Sequence, residues 1–120
     1  KPDVILISTG SEVHIALEAG RLIQEQSISA RVVSMPSWEI FDAQAKEYRD
    51  SVLPPDIRAR VSIEAATTMG WERYIGTEGV AIGLSDFGAS APIGVLYEKF
   101  GLPSQHVADE AAKLVRENQA

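Results

Sequence analysis

Short apolar runs alternate with helical patterns along the chain. Val4-Ile5-Leu6-Ile7 is a continuous aliphatic run, as expected of a strand buried on both faces. Thr9-Gly10-Ser11-Glu12 then marks a turn into a helix. Thr9 with Glu12 fits a capping box, and Ser11 is an alternative cap. That helix is predicted to run to about Gln26, with Val13, Ala16, Leu17, Gly20 and Ile23 along one stripe. Arg31-Val32-Val33-Ser34-Met35 reads as a second strand, stopped by Pro36. Ser37 can cap the helix that follows, which carries Trp38, Phe41, Tyr48 and Val52 and stops before Pro54-Pro55. A third strand is Arg60-Val61-Ser62-Ile63-Glu64, followed by a short helix over Thr67 to Ile75 with an irregularity at Gly70. Val80-Ala81-Ile82-Gly83-Leu84 is the fourth strand. Pro92 suits the first turn of a helix that Gly101 ends, and Ser104 can cap a last helix through Arg116, with Val107, Ala111, Leu114 and Val115 inward.

Strands alternating with helices imply crossover units and an α/β fold. The expectation is a three-layer α/β/α sandwich around a mainly parallel sheet of four strands. No repeat and no linker divides the chain, and 120 residues suit one domain, so residues 1–120 are read as a single domain. Such sheets take ligands beyond the carboxyl ends of their strands, where strand order reverses. The segments to inspect are Ser8 to Glu12, Met35 to Glu39, Glu64 to Gly70 and Ser85 to Pro92.

Composition narrows the chemistry. With no cysteine, the chain has no disulfide framework, no Cys-ligated zinc and no Cys nucleophile, which fits a reducing compartment and a cytoplasmic location. A net charge of −6 argues against nucleic acid or an anionic membrane surface as main partner. No apolar run approaches the roughly 20 residues that span a bilayer. The chain opens Lys1-Pro2-Asp3-Val4 without an initiator Met, the expectation for a piece of something longer.

Thr9-Gly10-Ser11 is the best candidate anion site, because a small turn feeding a helix N-terminus exposes backbone N–H groups. Against it, one Gly stands where a dinucleotide fingerprint needs three, no phosphate-loop Lys is present, and Glu12 would repel a phosphate. A capped helix start is the plainer reading. Glu64 ends a predicted central strand and could face that turn as a perturbed carboxylate, or hydrogen-bond a neighbouring segment. His14 and His106 are the only histidines and have no second ligand at metal spacing. No G-x-S-x-G elbow is present, so a Ser-His-Asp device is unsupported. Arg49, Arg58, Arg60 and Arg73 read as solvated or paired charges, and Asp42, Glu47 and Asp50 as a solvent face. Phe87-Gly88-Ala89-Ser90-Ala91-Pro92 is small, apolar and tightly turning, a candidate interface with another chain or domain.

Six ordered motifs resemble the C-terminal domain of transketolase: Ser8-Thr9-Gly10-Ser11-Glu12, Ala30 to Ser37, Tyr48 to Pro54, Val61 to Ala65, Gly70-Trp71-Glu72-Arg73-Tyr74 and Phe87 to Pro92. Glu98-Lys99-Phe100-Gly101 and the final helix complete the likeness, which covers essentially the whole chain. The resemblance implies a parent that moves a two-carbon ketol unit from a ketose phosphate to an aldose phosphate, in the pentose phosphate pathway or Calvin cycle. It implies a homodimer of three-domain chains with thiamine diphosphate and a divalent cation, magnesium or calcium, held by upstream domains. No catalytic, cofactor or metal position carries over onto this sequence, so the resemblance implies no cofactor within it and a non-catalytic domain that supports domain packing and dimerisation. It also implies a fifth, antiparallel strand contributed from before Lys1. The alternative reading is a small anion- or nucleotide-binding regulatory module with its site at Thr9-Gly10-Ser11, facing Glu64.

Overall fold

A computed structural model describes residues 2–8, 12–35, 37–64, 70–76, 78–83 and 102–119. Strand β1 (Val4–Ser8) has all five side chains fully buried. It pairs in parallel with β2 (Ala30–Ser34) on one side and β3 (Arg60–Glu64) on the other, and β3 pairs in parallel with β4 (Val80–Gly83). The order β2-β1-β3-β4 makes β1 and β3 central; β1 is buried throughout and β3 over residues 61–63. The expected α/β architecture is therefore present, with four parallel strands.

Alternation along the strands sorts the core into two halves. Val4, Leu6, Val61, Ile63 and Ile82 point to one side, where α1 (Val13–Gln24) and the last helix, α5 (Leu102–Gln119), cover them. Ile5, Ile7 and Val33 point to the other, against Leu53, Ile57, Trp71 and Tyr74. That side carries α2 (Trp38–Asp42), α3 (Lys46–Val52) and α4 (Glu72–Ile75).

Several local expectations change. Glu12 is the N-cap of α1, and its side chain makes no capping hydrogen bond; the expected caps Thr9 and Ser11 lie outside the described residues. The buried stripe of α1 is Ile15, Ala16, Ala19 and Ile23, while Leu17 is 56% exposed. The helix stops at Gln24 through a Schellman turn: Ser27 N–H donates to Gln24 O (2.9 Å), Ile28 N–H donates to Ile23 O (3.2 Å), and Ser27 has φ 63°. Ser37 caps α2 as expected, its hydroxyl accepting from Ile40 N–H at 3.2 Å. The single helix expected after it is two helices. Ala45 is extended, and side chains take the freed carbonyls: Gln44 Nε2 donates to Ile40 O and Arg49 Nε to Gln44 O. Gly70 lies ahead of α4, not inside it, with φ 90°. Ser104 sits within α5, where its hydroxyl donates to Ile15 O (3.2 Å) and ties α5 to α1. Val107, Ala111, Leu114 and Val115 of α5 are buried as expected.

Two arginines anchor the second helical layer to the sheet. Ile5 is flanked in register by Arg31 of β2 and Arg60 of β3. Arg31 Nη1 donates to the carbonyls of Ser51 (2.9 Å) and Val52 (3.2 Å) at the end of α3. Arg60 reaches four more carbonyls: Nε to Ile57 (2.9 Å), Nη1 to Tyr74 (2.6 Å), and Nη2 to Leu53 (3.2 Å) and Pro54 (2.7 Å). Arg60, expected as a solvated or paired charge, is a half-buried clasp whose partners are main-chain carbonyls. Burial pulls its pKa below the usual guanidinium value, while its planar fork supplies donors to carbonyls at the ends of α3 and α4 and in the turn that leads into β3. Arg60→Ala should cost about 3 kcal/mol in chemical denaturation, because hydrogen bonds from a charged group contribute about 1.5–3 kcal/mol each and the carbonyls lose their donor. Arg60→Lys, with no planar fork, should recover less than half of that loss. A loss below about 0.5 kcal/mol for Arg60→Ala would contradict the clasp.

Candidate functional site

Chain order reverses between β1 and β3, so the carboxyl ends of those strands define the crevice where sheets of this type take ligands. Its described walls are Ser8, the last residue of β1, and Glu64, the last residue of β3, with Glu12 at the start of α1. Ser8 and Glu12 are buried and Glu64 is half-buried; both glutamates have polar partners. Among the described residues, the hydroxyls of Ser8 and Ser62 and the indole N–H of Trp71 are buried without a hydrogen-bond partner. The Glu12 carboxylate at the N-terminus of α1 disfavours a phosphate there. Thr9, Gly10 and Ser11 lie outside the described residues, as does the whole candidate interface Phe87, Gly88, Ala89, Ser90, Ala91 and Pro92.

The densest side-chain constellation lies beside α2 and α4. Trp38 meets Trp71 edge-on at 5.1 Å between ring centroids and Tyr74 at 5.7 Å, and Phe41 meets Tyr74 edge-on at 5.8 Å. These distances fall in the favourable range for aromatic pairs. Arg73 lies over the Tyr74 ring (5.3 Å) and the Trp38 ring (5.9 Å) while its guanidinium pairs with the Asp42 carboxylate. The Tyr74 hydroxyl donates to the other Asp42 oxygen at 3.0 Å. Gly70 makes the packing possible, because a Cβ there would stand 2.7 Å from two Trp38 ring carbons. A groove of about 440 Å³ opens alongside, lined by Phe41, Arg49, Leu53, Arg73 and Tyr74. Asp42 is therefore bonded inward, unlike the solvent position expected, and Arg73 is paired as expected.

None of this amounts to a reactive centre. His14 and His106 are exposed on separate helices. Among the described residues no three His, Cys, Asp or Glu side chains could hold a metal ion, and no helix is long and apolar enough to cross a membrane. Sequence reasoning missed the Arg31–Arg60 pair and the Asp42–Arg73–Tyr74 group. The first had a signal: an Arg precedes the apolar run of both β2 and β3.

The four-stranded parallel sheet with helices on both faces puts the chain among α/β proteins. Residues 1–103 match the model of the family described as Transketolase-like TK C-terminal domain. The chain belongs to that family. It is 53% identical over 115 residues to the chloroplastic transketolase of Craterostigma plantagineum, covering 96% of this chain and 22% of that protein. Against the chloroplastic transketolase of Spinacia oleracea it is again 53% identical, covering 96% of this chain and 15% of the relative. A solved Pichia stipitis transketolase, in complex with sedoheptulose 7-phosphate, superposes with TM-score 0.83 at 38% identity, over 99% of this chain and 17% of that one. The chain thus spans only a small part of the relatives it matches. The expected cytoplasmic location is corrected, since these plant relatives are named chloroplastic and point to a plastid.

The Tyr74 phenol carries a testable consequence. Burial, then the Asp42 hydrogen bond and charge, push its pKa up to about 12. The folded state holds the proton more tightly than the unfolded one, so this contribution is complete below about pH 10 and is lost as pH rises through the folded value. Denaturation midpoints of the unsubstituted protein should fall more steeply than those of Tyr74→Phe across that window. Parallel curves for the two proteins would contradict the assignment.

Proposed function

We propose that residues 1–120 form one domain, the C-terminal domain of a homodimeric transketolase that passes a two-carbon ketol unit from a ketose phosphate to an aldose phosphate. The family match over residues 1–103 carries this reading. The share of the relatives that the chain spans supports a larger, multidomain protein.

Thiamine diphosphate and a divalent cation, magnesium or calcium, belong to the proposed activity, but the described residues suit neither. The histidines are exposed, and no metal-holding set of His, Cys, Asp or Glu stands among these residues, so the described part of the chain does not suit a pyrophosphate–metal pair. We assign both groups to upstream domains of the same chain and derive no step through them. The role left for this domain is packing against those domains and supporting the dimer, with Phe87 to Pro92 as one contact. The implied fifth strand has a suitable seat along β2, an edge of the described sheet. A groove of about 680 Å³ lined by Leu17, Gly20, Ala30 and Val32 flanks that edge, and a strand there would cover the exposed Leu17.

The test is a coupled assay of ketol transfer from sedoheptulose 7-phosphate, the sugar in the Pichia stipitis complex. The whole protein should transfer only with thiamine diphosphate and a divalent cation supplied, and residues 1–120 alone should not transfer. Absence of transfer by the fully supplied whole protein, or transfer by residues 1–120 alone, would overturn the reading.

A further inference from the structure

The two helical layers are finished differently. Under α1 and α5 most apolar side chains are buried and outward positions are largely polar, with His14, Arg21, Gln105, Asp109 and Lys113 exposed; Leu17 of α1, 56% exposed, is the exception and flanks the β2 edge. On the opposite side α2 has five residues and α3 seven, and neither contributes a fully buried side chain. Helices of this length do not hold in water by themselves and depend on tertiary packing. Here α3 is tied by its C-terminal carbonyls to Arg31 and Arg60, and α2 rests on the half-buried Trp38 and Phe41. Ile40 is nevertheless 66% exposed and Tyr48 54% exposed, two of the three large apolar residues so placed among those described. Apolar area of that kind is stabilised by cover, and neighbouring exposed patches mark contact surfaces.

We propose that the outer surface of the α2–α3 pair is a docking face, covered in the whole protein by the rest of the same polypeptide. This rests on the transketolase reading and deepens it by naming the surface. The length of the relatives argues for the occupant: this chain corresponds to 15–22% of the two chloroplastic transketolases, so proteins of that design carry most of their residues outside this domain. The chemistry of the seat follows from what it must meet. Ile40 and Tyr48 need apolar recesses, and the exposed Glu39 and Glu47 beside them need Lys or Arg at the rim.

The chain has no cysteine, so single thiols can report on the surface. Ile40→Cys and Tyr48→Cys are placed in the whole protein, and their maleimide labelling rates are compared with Lys113→Cys on the polar face of α5. Both should label about tenfold or more slowly than Lys113→Cys, at every protein concentration. Labelling as fast as the control overturns the proposal. Protection that disappears on dilution also overturns it, because the cover is then a second copy. Where a variant fails to fold, hydrogen exchange of residues 38–52 in the unsubstituted whole protein decides: strong protection supports the face, and exchange at free-helix rates overturns it. Ketol transfer measured on the same unsubstituted sample separates the two readings. An active protein with fast labelling loses only the docking face, whereas an inactive one loses the transketolase assignment.

Discussion

Burial of β1 on both faces is the constraint from which the rest of the structure follows. Val4 through Ser8 have no exposed surface, and an apolar strand in that position requires a partner strand on each edge and a helical layer on each face. Parallel pairing with β2 and β3 supplies the edges. Alternation then sends Val4 and Leu6 toward α1 and α5, and Ile5 and Ile7 toward the aromatic cluster. The two sides solve the problem unequally. Long helices α1 and α5 bury aliphatic stripes, whereas short α2, α3 and α4 are fixed largely by polar bonds to Arg31 and Arg60 and by edge-to-face ring contacts.

Strands were the most legible part of the sequence because each is a compact apolar run, and all four lie within a residue or so of their expected bounds. Helix faces were less legible. The stripe of α1 was expected through Leu17, but the phase of a helix is set by what it packs on, and Ile15 and Ala19 point inward instead. The break between α2 and α3 carries no Gly or Pro to announce it; local side-chain bonds from Gln44 to Ile40 O and from Arg49 to Gln44 O take up the carbonyls there. Ser104 looked like a cap since a hydroxyl ahead of an apolar pattern usually is one; its bond to Ile15 O depends on α1 lying alongside. Arg60 reads from sequence as a solvated or paired charge, and nothing local tells that its partners are main-chain carbonyls. Its four carbonyl partners come from residues 53 to 74, scattered along the sequence but gathered at one spot.

Function was legible through the ordered motifs and not through reactive groups. The exposed histidines, Asp42 bonded to Arg73 and Tyr74, and the partnered Glu12 and Glu64 describe a domain whose polar side chains mostly serve its own architecture. That pattern accords with membership of the transketolase C-terminal domain family, where the chain corresponds to a small part of much longer relatives. The unequal finish of the two helical layers links this architecture to the proposed role, since a layer stitched by arginines leaves apolar residues outward for another surface.

Native-state hydrogen exchange on the whole protein, resolved to individual amides, tests the central claim most directly. If the doubly buried strand organises the fold, the amides of Ile5, Leu6 and Ile7 should be among the slowest in this domain and exchange only through its global unfolding, with the same denaturant dependence as the unfolding transition. Exchange of β1 through local openings, at lower free energy than α1 or α5, would contradict the account.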